Sequence, residues 1–450
     1  MTSIKAVDDK DSTLFSPPAD VTVDEKPVTS FDLASPGSDG DHDEHLEKGH
    51  GGHEEDRTGS SMSAFFNIVC VVAGSGILQL PVTFSQAGWI GVLCVVLAAL
   101  FSFFTGHLLI RCLYYKDGQR LGTYPDVGMA SFGRIGKIVV LILHYSICLG
   151  SACVYINIAG TGVEPLLRNI GVDVSPQVWC IIAAILICLP FVLFKSMKEV
   201  TLLGLFGALT TVVMVVVVVV VGLIDMPNQV DVTHMVVDWG MVPAAMGSIC
   251  FSFGGNVVYP HVESTMRRPQ SWTKVLGMAT VAILTMYLLV AIVGYQVYGD
   301  QVKSPIYDSL PTNAATTVAI LMLAAHVILA APMMLTTFAL EIEENFHITT
   351  AYMSKSREFI TRAIFRTATV VVITIPAMFL PVKSLMALVG SLSNSLIIYA
   401  LPVVCYWRLF GIRSMNVAWL VLSGLCIVTA VMACIFGTID AIKDIIKVFS

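Results

Sequence analysis

An all-α polytopic membrane protein is the fold class this sequence predicts, and three observations carry it. The 450 residues are 56% hydrophobic and only 13% charged, with a mean hydropathy of +0.79, well outside soluble-domain norms. Eleven apolar runs recur along the chain, each long enough to cross a hydrocarbon core of roughly 30 Å. Two of these runs, the first and the sixth, are interrupted by small and flexible residues. A break inside hydrocarbon strands backbone N–H and C=O groups unless protein, ligand or water supplies partners.

The spans are predicted near 62–84, 88–113, 137–159, 177–195, 200–224, 241–263, 273–298, 313–340, 363–381, 384–409 and 415–437. The run Val215–Val221 would favour a strand in water. Lipid admits only helices or closed barrels, so the fifth span is read as a helix. No short apolar stretch with a basic start opens the sequence, so the first span is expected to act as a signal anchor. The cysteines lie in or at the ends of the spans, Cys112 closing the second, and none forms a CxxC pair. They read as packing residues rather than disulfide partners or metal ligands, and neither metal nor cofactor is expected.

Residues 1–61 are a separate region, with fifteen Asp/Glu against five Lys/Arg. Few aromatics and scattered Pro, Gly and Ser make this a disordered acidic tail, open to cytosolic partners. The charge sign excludes nucleic-acid binding. His42, His45, His50 and His53 sit among its carboxylates at irregular spacing, which favours solvation over a zinc site.

With the tail cytosolic, sixteen Lys/Arg fall on the cytosolic connections and five on the opposite side, a strong positive-inside bias. An odd number of spans then places the C-terminus in the lumen. The acidic 225–238 loop, with Asp225, Asp231 and Asp238, lies on that far side. The transmembrane domain covers 62–437 and a short C-terminal tail 438–450. Ile439–Phe449 is either an interfacial helix or the end of span eleven.

The breaks carry the chemistry. The first is Ala73-Gly74-Ser75-Gly76-Ile77 and the second Ser252-Phe253-Gly254-Gly255-Asn256, five spans later. Corresponding breaks in two halves point to a transporter with its substrate at the bilayer midplane. A half-helix starting near Ile77 presents free N–H groups and a positive dipole end to a carboxylate. Carbonyls of Val72 and Ala73 suit an ammonium, so one broken helix serves both ends of a zwitterion. Ser252, Phe253, Gly254 and Asn256 form the complementary wall. The competing reading is close helix packing by small residues.

Ionisable residues inside the membrane are candidates for coupling. His326 in span eight, His144 in span three and Glu263 near the inner end of span six are the proton-relay candidates, in that order. A packing histidine hydrogen-bonded to a neighbour is the ordinary alternative. Glu341, Glu343 and Glu344, at the exit of span eight, are expected to be solvated, and Lys195, Lys198 and Glu199 to lie at the interface. No G-x-x-x-x-G-K-[ST], H-E-x-x-H or G-x-S-x-G motif occurs, so no enzyme is predicted.

The motifs resemble a known family. Phe66-Asn67, then Gly74 through Pro81 and Gln86-Ala87-Gly88-Trp89, look like the opening signature of the amino acid/auxin permeases. Thr123 to Gly133, Ser252 to Asn256, Tyr259-Pro260, Glu263, Gly390 and Pro402 resemble its later motifs. The chain looks closest to the fungal vacuolar amino acid transporters and the vesicular inhibitory amino acid transporter. That resemblance implies eleven helices in a LeuT-like 5+5 inverted repeat plus one extra helix, with amino acid substrates and proton coupling on an acidic organelle. It also implies that Cys70 and Ala330 stand where sodium-coupled relatives carry asparagine and threonine ligands, which favours protons; Thr336 and Thr337 are the alternative oxygens in span eight.

The expectation is therefore a secondary active transporter of neutral amino acids, proton-coupled by symport or antiport, in a vacuolar or vesicular membrane. An amino acid sensor using the same site and a sodium-coupled plasma-membrane importer are the alternatives.

Overall fold

A computed structural model describes residues 57–116, 119–168, 171–194, 197–350 and 352–449. The predicted tail up to residue 56, with its four histidines, and Lys195 lie outside the described residues, as do the side chains of Lys198 and Glu199. Helix α1 spans Ser61–Val72 and starts where the Ser60 side chain accepts the Ser63 N–H at 3.0 Å. It stops at Ala73 and Gly74. Gly74 adopts φ −94°, ψ −137°, a ψ outside both the helical and the strand wells. The chain resumes as a 3₁₀ turn, Ser75–Gln79, running into α2 (Leu80–Ala87).

Then come α3 (Ile90–Leu113), α4 (Tyr124–Arg168), α5 (Pro176–Leu193) and α6 (Met197–Asp225). Helix α4 is kinked at Phe132 and Gly133, where Gly133 takes a φ of +65°. The valine run is helical, inside α6, as the lipid argument requires. The sixth predicted span is two pieces, α7 (Val242–Ser252) and α8 (Tyr259–Thr265), joined by an irregular stretch over the second glycine pair. Helices α9 (Trp272–Tyr298), α10 (Ala314–Asn345) and α11 (Lys355–Phe379) follow. The tenth span runs α12 (Val382–Val389), a π-helical stretch Gly390–Ala400, then α13 (Leu401–Phe410). The eleventh is α14 (Val417–Met432), a π turn Ala433–Gly437 and α15 (Thr438–Phe449), which continues the span without interruption.

Among the described residues, ten helices are long and apolar enough to cross a membrane, and the divided α7–α8 pair occupies the position of the sixth predicted span. Burial orders them. The most apolar window of Ser61–Ala87 is 89% buried, against 28% for Pro176–Leu193, Lys355–Phe379 and Val417–Lys447. The broken first span is thus the axis, and the other three face lipid. Helix α10 packs on α4 and α6, α1 on α6 and α9, and α7 on the π stretch of span ten. Small residues set that last crossing: Gly247 lies against Ser391 and Gly437, and a Cβ on Gly390 would strike the α7 backbone.

Candidate functional site

The two breaks touch each other. Ser252 Oγ donates to the Gly76 carbonyl at 3.1 Å. A Cβ on Gly76 would lie 2.6 Å from Ser252 Cα, so only glycine permits this approach. The Tyr287 hydroxyl of α9 reaches the Val72 carbonyl at 2.5 Å and also the Ser252 carbonyl. One side chain thus joins the carbonyl ends of both broken helices.

Between the breaks lies a cavity of about 10 Å³, room for a single water. Val71, Val72, Gly74, Ser75 and Gly76 form one wall, and Phe251 and Gly254 the other. Ser151 and Tyr155 of α4 and Met334 of α10 close it, and no charged side chain lines it. The Ser75 hydroxyl is buried without a hydrogen-bond partner. The amides of Ser75 and Gly76 precede the first bond of the turn, Ile77 N–H to Gly74 carbonyl at 3.4 Å, so helix geometry leaves them for another acceptor.

Of the predicted residues, Gly74, Ser75, Gly76 and Gly254 line this cavity. Ala73 and Ile77 are fully buried behind it. Ser252 is spent on Gly76, and the Phe253 ring packs edge-on against Tyr287 at 5.2 Å between centroids. Asn256 points to neighbouring helices, its amide donating to the Ile398 carbonyl at 3.2 Å and Thr105 Oγ1 at 3.4 Å. The Val72 carbonyl, assigned above to an ammonium, already accepts from Tyr287 and from the Gly74 N–H at 2.8 Å. Ser151, Tyr155, Met334 and Tyr287 were not singled out from the sequence. The signal available was a polar side chain in an apolar span, which Ser151, Tyr155 and Tyr287 each supply.

The proton-relay candidates occupy three separate places. His326 Nδ1 sits 3.0 Å from the Gly207 carbonyl and 2.8 Å from Thr211 Oγ1. A carbonyl only accepts, so Nδ1 carries the hydrogen and Nε2 of the neutral ring is an acceptor. That Nε2 has no partner and would lie 3.0 Å from a Cβ on Gly74, so it faces the first break. His144 is also buried, with Nδ1 3.7 Å from Glu341 Oε1. Glu263 accepts from Tyr114 Oη at 2.6 Å and Arg120 Nε at 2.8 Å, with Arg57 at 3.7 Å. It fastens α8 to the α3–α4 connection and to the segment before α1.

The expectation for the exit of span eight is corrected in two of three cases. Glu341 and Glu343 are buried, and only Glu344 is exposed. The reason is length: α10 runs to Asn345, past the predicted end at 340, which brings another turn into the bundle. Glu343 pairs bidentately with Arg366, at 2.7 and 3.0 Å.

Against known proteins, the chain is 26% identical to the amino acid transporter AVT1E of Arabidopsis thaliana, over 85% of this chain and 72% of that protein. It is 25% identical to AVT1I of the same plant, covering 87% of this chain and 97% of the relative. With the vesicular inhibitory amino acid transporter of Rattus norvegicus it shares 25% identity, over 87% of this chain and 78% of the rat protein. In structure it is similar to a nucleobase-cation-symport-1 family transporter solved in a closed conformation with bromovinylhydantoin bound. The TM-score is 0.50 at 14% identity, covering 88% of this chain and 95% of that one, and the shared architecture is a LeuT-like transporter fold. The sequence profile described as transmembrane amino acid transporter protein matches residues 57–443, and the chain belongs to that family.

Proposed function

We propose that this protein is a proton-coupled secondary transporter of neutral amino acids in a vacuolar or vesicular membrane, working by alternating access. One observation carries the reading: two broken helices meet at a small cavity lined by the unpartnered Ser75 hydroxyl and by no charged side chain. A zwitterion brings its own charges and needs helix ends and hydroxyls, which the first break offers through Ser75 and the Ser75 and Gly76 amides. An apolar or small polar substrate side chain suits Val71, Phe251 and Met334. A charged one would be left unpaired there, at a penalty of several kcal/mol.

At about 10 Å³ the cavity has room for one water and none for an amino acid, so substrate binding needs the half-helices to part, as alternating access demands. Ala73, Ile77, Ser252, Phe253 and Asn256 set the shape of the breaks in this reading. The tail is cytosolic and the C-terminus lumenal, following the bias of basic residues. Protons are favoured over sodium because Cys70 and Ala330, both buried, supply no hard oxygen. Each pH unit across an organelle membrane is worth about 1.4 kcal/mol per proton, and 100 mV adds about 2.3 kcal/mol per charge moved.

The test is uptake of labelled amino acids by purified protein in liposomes, with imposed pH or sodium gradients. Neutral amino acids should accumulate with a pH gradient and in the absence of sodium. Strict sodium dependence, untouched by a protonophore, overturns the coupling. Saturable binding without flux replaces the transporter by a sensor.

A further inference from the structure

We propose that His144 and Glu341 together form the site of the coupled proton, holding one proton per pair beneath the central cavity. The proposal rests on the reading of the chain as a proton-coupled transporter. The pair bridges α4 and α10 at 3.7 Å, with side chains 0% and 5% exposed. Neither ring nitrogen of His144 and neither carboxyl oxygen of Glu341 has a hydrogen-bond partner. Other carboxylates buried in the bundle differ. Glu263 is held by Arg120 and Tyr114, Glu343 by Arg366, Glu164 by Arg168 and Glu358 by Arg362. Asp225 accepts hydrogen bonds from Asn228, Gln229 and Tyr298. Among the described residues, Glu341 is the buried carboxyl group that has an imidazole as its partner and no donor.

The position ties the pair to the cavity. Ser151 and Met334 line the cavity, and each lies seven residues from one member of the pair, on α4 and α10 respectively. Seven residues are two turns on the same helix face, about 10 Å of rise. Both offsets run the same way: back toward the start of α4 and forward to the end of α10, the end where Glu263 and Arg120 meet. On the half-helix α8, which follows the second break, His261 Nε2 is also buried without a partner. The pair therefore lies two turns from the cavity, on the side of the Glu263 ion pairs.

Charge fixes the proton count. A net charge buried in the bundle costs several kcal/mol, even after relaxation. The closed state thus holds the pair at net zero, as neutral imidazole with carboxylic acid or as imidazolium with carboxylate. Either form has one dissociable proton. It arrives from water on the acidic side and leaves to water on the neutral side, and only N–H or O–H bonds change. The other titratable groups that act on the pair are Asp126, Lys137, Tyr145 and Cys148 of α4, His261 of α8 and Glu344 of α10. Arg366 of α11 is engaged by Glu343 and by the Phe191 and Phe194 carbonyls.

The test uses the full chain in liposomes with two readouts: substrate-for-substrate exchange without a gradient, and accumulation driven by a pH step. One proton per neutral substrate gives up to about tenfold accumulation per pH unit. Glu341→Gln and Glu341→Asp are compared, with His144→Gln as the partner change. Gln matches the shape of Glu but cannot titrate, whereas Asp titrates but is shorter. A proton role predicts that Glu341→Gln and His144→Gln exchange substrate yet lose accumulation. Glu341→Asp keeps accumulation, with a shifted pH profile. A purely structural role predicts the reverse ranking, Gln performing at least as well as Asp, and that ranking overturns the proposal. Loss of exchange in both Glu341 variants overturns it too. Failure of the unmodified protein to respond to pH at all would instead remove the coupled reading on which the proposal stands.

Discussion

The two broken helices look alike in sequence and differ in what they leave free. At the first break, the Ser75 hydroxyl has no partner and the Ser75 and Gly76 amides begin a turn that does not satisfy them. At the second, Ser252 is committed to Gly76 and the Asn256 amide donates to span ten and α3, while the unpartnered Asn256 Oδ1 lies off the cavity lining. In the proposed reading, the first break presents polar groups to a ligand, while the second supplies Phe251 and Gly254 to the lining and holds the first in place. On that reading, similar glycine-rich interruptions are assigned recognition in one half and geometry in the other. Each can be broken separately.

The largest effect is expected at their point of contact. Gly76→Leu puts a side chain where Ser252 Cα would be 2.6 Å from the first carbon, so the breaks cannot stay in register. Backbone lies on the other side of this contact, and overpacking of that kind costs about 1–3 kcal/mol or more. Transport and substrate binding should both be abolished, measured by uptake and by substrate-induced thermal stabilisation. Normal affinity in this variant would place the site elsewhere.

Tyr287→Phe attacks both breaks through one hydroxyl. It removes the donor shared by the Val72 and Ser252 carbonyls, leaving buried acceptors at a penalty of about 1–3 kcal/mol. Thermal stability should fall accordingly and uptake by roughly tenfold, since 1.4 kcal/mol is a factor of ten. If uptake is unchanged, the hydroxyl is incidental to the closed state.

The breaks were legible in the sequence because a glycine pair or a Gly-Ser-Gly run inside an apolar span has few other uses. Their contact was not, for Gly76 and Ser252 are 176 residues apart. The α4 wall of the cavity was hidden for a different reason. Spans apolar on nearly every face carry no stripe to say which side points inward, so the polar groups of Ser151 and Tyr155 could be seen but not their direction. The π stretch Gly390–Ala400, whose Ile398 carbonyl receives Asn256, has no sequence signature beyond its small residues. Glu341 was misplaced by a boundary, since extending α10 by five residues moves it from solvent to core.

Asn256→Ala tests the holding role of the second break alone. It deletes two hydrogen bonds to α3 and span ten without touching the cavity lining. A net loss of about 1 kcal/mol of stability per good bond is the upper expectation, as both are long. Substrate affinity should change less than stability. A variant with normal melting but strongly reduced affinity would make Asn256 a direct ligand, as its sequence position had implied.

Ser75→Ala is the smallest perturbation and separates presenting from holding by sign. The Ser75 hydroxyl is buried and unpartnered in the closed state, so it contributes desolvation cost without a compensating bond. Removing it should leave thermal stability unchanged or slightly raised. If the hydroxyl bonds the substrate, the same change weakens binding by about 1 kcal/mol, or roughly fivefold in affinity. Stability and affinity thus move in opposite directions for a presenting residue. For a holding residue such as Asn256 they fall together. Substrate titration by thermal shift reads both at once, with the substrate-free melting temperature reporting stability and the ligand concentration dependence reporting affinity. A Ser75→Ala protein that melts early and binds normally would reverse the roles assigned to the two breaks.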